Sequence, residues 1–157
     1  MYALIPTFAA SWSPFCHRVL LTLEEKHIPY SLRYVKKGEF PDWFSNLFPK
    51  FVDVLKATSK DKASSKEALQ SELSAVGEKL EDNKFYKGDL FGAADAALAP
   101  KLHHIIIMMA KAEGWNVCAD YPAIKAYMTR VRSRPSWQAC LYSDMIVEAE
   151  WTKALNL

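Results

Sequence analysis

SPFCHRVLLTLEEKHIPYSLRYV, residues 13–35, decides how the front of this chain folds. Ser13 and Pro14 form a helix start: a serine suits the cap, and a proline suits the first helical position, where its missing N–H is not needed. Val19, Leu20 and Leu23 then set an apolar stripe, and Glu24, Glu25 and Lys26 close the helix with charge. His27-Ile28-Pro29 breaks it. Tyr30 to Val35, YSLRYV, reads as a strand rich in aromatic and branched residues. Working backwards, YALIPTF at residues 2–8 reads as an earlier strand, which Pro6 confines to an edge or ends early. Strand, helix and strand make a βαβ unit whose two strands run parallel.

Beyond this unit no further strand is predicted. Lys36-Lys37-Gly38 is a loop, and Phe40 to Phe48 is a short aromatic helix stopped by Pro49. Phe51 to Thr58 is a separate helical piece, and SKDKASS (59–65) is a polar linker. From Ser65, Leu69, Leu73, Val76 and Leu80 recur at helical spacing until Asp82-Asn83-Lys84. Gly92 to Glu113 is the most apolar helix and is expected at the centre of a bundle, kinked at Pro100. Gly92 caps it, and Asp95 stands three residues on, where a carboxylate reaches back to free backbone N–H groups. Pro122 opens a helix to about Ser133, Ser136 opens a short one, and Met145 to Leu155 is a last helix or a docked tail. The fold class is α/β followed by all-α, with an N-terminal domain over residues 1–49 and a helical domain over 50–157.

Composition narrows the function classes. The net charge is +2 and the lysines are dispersed, which argues against nucleic acid as a partner. No run of about 18 apolar residues is present, so no membrane span is predicted. The apolar start lacks the basic residues of a secretion signal. Cys16, Cys118 and Cys140 are odd in number and far apart, which suits a reducing compartment and a cytoplasmic location rather than a disulfide framework. No metal site is expected: His103 and His104 are adjacent, so on a helix they point about 100° apart.

Several stretches together resemble the soluble glutathione transferase superfamily, and most nearly its dehydroascorbate reductases. They are residues 13–35, PDWF (41–44), FYKGDLFGAADAALAPKLHH (85–104), YPAIKAYM (121–128) and EAEWTKAL (148–155). The resemblance implies a thioredoxin-like N-terminal domain joined to a helical bundle. It also implies glutathione as co-substrate and dehydroascorbate as the molecule reduced to ascorbate. Two departures stand out. The family pattern has a cysteine where this chain has Ser13, and Cys16 matches the fourth motif position. Between Phe48-Pro49 and Phe51 the family also has two strands and a helix, which carry a cis-proline and an acidic-Ser pair that hold glutathione. On this reading the N-terminal domain is truncated.

Cys16 and Ser13 are the candidate catalytic residues, and Ser13, Pro14 and Phe15 the candidate glutathione-binding ones. A helix N-terminus stabilises a thiolate, so Cys16 is the one group here able to act as a redox nucleophile. The alternative is an inward-facing core thiol. Ser13 can donate a hydrogen bond to a glutathione thiolate, as serine-type transferases are thought to do. Three outcomes stay open: a weak dehydroascorbate reductase, a serine-type glutathione transferase, and a non-catalytic binding or scaffold module. A two-stranded sheet is marginal alone and leaves open edges, so either a homodimer through that surface or a loosely held front half is expected.

Overall fold

The computed structural model describes residues 5–9, 28–34, 42–140 and 143–156. The chain divides into two compact units, Met1–Pro41 and Asp42–Leu157. In the first, β1 (Ile5–Ala9) and β2 (Tyr30–Tyr34) form a two-stranded parallel sheet. The register pairs Ile5 with Tyr30 and Ala9 with Tyr34. The parallel pairing agrees with the sequence reading; residues 2–4 of the first expected strand lie outside the described residues. The helix expected from Pro14 lies outside the described residues.

The second unit is helical. It contains α1 (Asp42–Lys56), α2 (Lys62–Glu81), α3 (Ala93–Glu113), α4 (Val117–Asp120), α5 (Pro122–Arg132), α6 (Pro135–Cys140) and α7 (Asp144–Leu155). As its composition implied, α3 is the central element: Leu98, Ala99, Leu102, Ile105 and Met109 have no solvent exposure. Around it lie α1, α4, α5 and α7, while α2 packs on α1 and α5. The amphipathic stripe of α2 is buried as Leu69, Leu73, Val76 and Leu80. Lys62 fastens three elements together. Its ammonium donates to the Val54 carbonyl at 3.0 Å and pairs with Glu113 at 2.7 Å. At the end of α3, Gly114 takes a left-handed φ of 59°, and its N–H caps the Met109 carbonyl. Only glycine enters that region without a Cβ penalty.

Two local expectations are corrected. Pro49 does not stop a helix: α1 runs through it, and the division expected at residue 49/50 falls inside α1. Tertiary packing overrides the local signal. Leu47, Phe51, Val54 and Leu55 are buried on one face, and Phe48 and Phe51 pack against Trp151 at ring separations of 5.8 and 5.1 Å. Burial of that face outweighs about 3 kcal/mol for a proline in a helix interior. The polar linker is also shorter than expected, because α2 begins at Lys62 rather than Ser65.

Pro49 is solvent-exposed, so replacing it leaves no cavity. Pro49→Ala restores a backbone donor and is expected to raise stability by about 1–3 kcal/mol in a urea titration. A destabilised variant would show that the proline bend is needed to seat Phe48 and Phe51.

Candidate functional site

Ser13, Pro14, Phe15 and Cys16 all lie outside the described residues, as do Trp12, His17 and Arg18. In sequence, Ser13 follows Ala9, the carboxyl end of β1, by four positions. Cys118 is a half-buried free thiol on α4, and Cys140 ends α6. Among the described residues no three His, Cys, Asp or Glu side chains are grouped to hold a metal ion. No helix among them is long and apolar enough to cross a membrane.

The best-defined polar centre is Asp95, 1% exposed in the first turn of α3. Its carboxylate accepts from the N–H of Gly92 at 2.8 Å, as the cap in the sequence implied. It also accepts from the N–H of Tyr86 at 2.8 Å, a second bond that ties the 85–88 turn to the helix start. Tyr127 sits above it, with its hydroxyl 3.5 Å from the Asp95 carbonyl. Burial first, and then the Asp95 charge, push the Tyr127 phenol well above its ordinary range. These contacts tie the first turn of α3 to the 85–88 turn and to Tyr127 of α5. Asp95 is therefore a structural anchor.

A second centre lies further along α3, where sequence reasoning set His103 and His104 aside because they diverge. That divergence lets each imidazole reach a different helix. His103, 5% exposed, accepts through Nδ1 from the Arg132 guanidinium of α5 at 3.1 Å. Its Nε2 lies 3.6 Å from the Asp144 carboxylate of α7. His104 accepts through Nδ1 from the Trp151 indole N–H of α7 at 3.0 Å. Burial is the main cause that lowers both imidazole pKa values; Arg132 adds to the effect on His103, and Asp144 opposes it. Beside this cluster is an open cleft of about 390 Å³, lined by Ile106, Ile107, Lys111, Arg132, Asp144 and Glu148 among others. The signal available in the sequence was the seven-residue spacing of Asp144 and Trp151, which puts both on one side of a helix, about two turns apart.

With the helical unit described, the comparisons are decisive. The family "Glutathione S-transferase, C-terminal domain" matches residues 16–135. The chain belongs to the glutathione S-transferase superfamily. Within it, this chain is a dehydroascorbate-reductase-like member. The probable glutathione S-transferase DHAR2, chloroplastic, of Oryza sativa subsp. japonica is 30% identical, over 88% of this chain and 68% of its own length. The probable glutathione S-transferase DHAR1, cytosolic, of the same species is 28% identical, over 91% of this chain and 90% of its own. The crystal structure of Chlamydomonas reinhardtii dehydroascorbate reductase superposes with a TM-score of 0.68 at 21% identity, covering 98% of this chain and 99% of that one. That likeness establishes the shared fold.

The match to the relatives also has an internal shortfall in this chain. The match to the first rice protein runs over 186 positions, while 88% of 157 residues is about 138. About 48 positions of the relative therefore have no counterpart here.

The double duty of Asp95 sets the size of its expected effect. Asp95→Ala leaves two backbone donors without acceptors, at about 1–3 kcal/mol each, so a total loss of about 2–4 kcal/mol is expected from chemical denaturation. Gly92 has extended backbone, and a Cβ there meets nothing closer than 3.8 Å. Gly92→Ser adds a capping oxygen and is expected to stabilise by a few tenths to about 1 kcal/mol on the same measurement.

Proposed function

We propose that this chain is a glutathione-dependent enzyme that reduces dehydroascorbate to ascorbate, with Cys16 as its thiol. The observation carrying this reading is the match, over most of the chain, to plant glutathione S-transferases of the DHAR type. The parallel β1–β2 pair is consistent with the frame of a partial thioredoxin-like unit. In that frame, SPFC follows the carboxyl end of a strand, where α/β proteins place their ligands. A location in the reducing cytoplasm belongs to the same reading, and the relatives carry both cytosolic and chloroplastic labels.

The chemistry balances with two glutathiones. The Cys16 thiolate adds to a carbonyl carbon of dehydroascorbate. A first glutathione thiolate attacks the Cys16 sulfur, the carbon–sulfur bond breaks, and its electron pair leaves with ascorbate. A second glutathione then attacks the mixed disulfide, which releases glutathione disulfide and restores the thiolate. Ser13 has a hydroxyl pKa far too high for this step. It and the backbone of Pro14 and Phe15 orient the incoming glutathione sulfur.

The internal shortfall favours a second reading. About 48 absent positions are enough for the two strands and helix that hold glutathione in the family. Without them the chain is a binding or scaffold module, or a dimer closed through its open sheet edges. A serine-type transferase, conjugating glutathione through Ser13, is the remaining enzymatic alternative.

Calorimetry with millimolar glutathione separates these readings: heat of binding is expected for the enzyme and none for the scaffold. Cys16→Ala is expected to abolish dehydroascorbate reduction and to leave glutathione binding in place. Undiminished turnover in that variant would overturn the thiol mechanism. Loss of conjugation to a chlorinated aromatic in Ser13→Ala would instead identify the serine-type enzyme.

A further inference from the structure

We propose that α7 is an acid-released latch, docked on α3 only while His103 and His104 are both neutral. The claim follows from which partner donates in each hydrogen bond. An indole N–H and a guanidinium have no lone pair to offer, so each is obligatorily a donor. The Nδ1 of His104, facing the Trp151 N–H at 3.0 Å, therefore carries no proton. Likewise the Nδ1 of His103, facing Arg132 at 3.1 Å, carries none. Protonation turns each acceptor into a donor that faces another donor. It also places two positive rings side by side, with centroids 6.1 Å apart.

The surrounding charges decide the sign. His104 meets the uncharged Trp151 from α7, and that indole stacks on Phe48 and Phe51 of α1. Among the described residues, no carboxylate is paired with the His104 imidazole. His103 meets Arg132 from α5, the Trp137 ring from α6 at 5.4 Å and Asp144 from α7. Among the described residues Asp144 is the compensating group, but its side chain is 66% exposed and lies beyond hydrogen-bond distance at 3.6 Å. Water screens such a pair strongly. On α3 itself, Lys101 is pushed down to about 8 by burial and so stays charged throughout the acid range. Lys111 pairs with Glu148 of α7 at 3.3 Å, a second tie between α3 and α7.

Both imidazole pKa values are lowered in the docked state. The docked state therefore binds fewer protons than the released one. Docking is strongest above the ordinary imidazole value of about 6.5 and weakens progressively as pH falls below it. Release frees Trp151 from Phe48 and Phe51. It also removes one wall of the cleft over Ile106, Ile107 and Ala110, since Asp144 and Glu148 of α7 form that wall.

The test is hydrogen exchange of residues 144–156 in the full chain, without glutathione, between pH 7.5 and 5.5, corrected for intrinsic exchange rates. Protection of α7 relative to α2 is expected to fall severalfold across that range. In the double variant His103→Gln/His104→Gln, amide oxygens replace the imidazole acceptors and do not titrate, so protection is expected to be flat with pH. Trp151→Phe keeps a ring in the pocket but removes the N–H, and is expected to lose the His104 share of the acid response. Proton NMR of the wild-type imidazoles is expected to give midpoints below 6.5 for both histidines. Flat protection in the wild type, an unchanged acid response in the double variant, or midpoints at or above the ordinary value would each overturn the latch.

Discussion

The carboxylate of Asp95 is the contact on which the helical unit depends. It accepts from Gly92 N–H, which starts α3, and from Tyr86 N–H, which anchors the turn leading into it. A helix as apolar as α3 has no polar face to orient it against water. Its first turn and its neighbours must set where it lies. With that turn fixed, Leu98, Leu102, Ile105 and Met109 enter the core, and α1, α4, α5 and α7 pack around them. Tyr127 closes the arrangement from α5 by reaching the Asp95 carbonyl.

A second constraint sets where the chain ends its fold. α7 is short, and most of its surface is open: Met145 and Ile146 in its first turn are exposed. Its attachment rests on Val147, on the indole of Trp151 and on polar contacts to α3. Those contacts come from His103, His104 and Lys111, one face of the same helix that Asp95 anchors. One end of α3 is thus held by a buried carboxylate and its middle by neutral imidazoles. These are chemically different fastenings: the first is a carboxylate accepting two backbone N–H groups, and the second depends on proton occupancy.

The relation between family and activity runs through the front of the chain. Membership rests on the ordered match across residues 16–135. The alignment to the relative leaves about 48 of its positions without a counterpart in this chain. A transferase scaffold can keep its bundle intact while losing the strands that read the tripeptide backbone, because the bundle has its own core. Membership of the family and catalytic competence are therefore separate questions in this chain.

Much of this was legible in the residues. The 3.6-residue spacing of Leu69, Leu73, Val76 and Leu80 announced α2, the apolar run after Gly92 announced the buried helix, and Asp95 announced its cap. The parallel strand pair followed from the order strand, helix, strand. These are local signals, governed by period, propensity and capping within a few residues. What tertiary structure alone decided is where local signals lose or where partners are distant in sequence. Pro49 is carried inside α1 because burial of Leu47 and Phe51 outweighs one missing hydrogen bond. The second donor to Asp95 and the pairing of His104 with Trp151, 47 residues away, could not be read from spacing, since a hydrogen bond between separated segments exists only once packing brings them together.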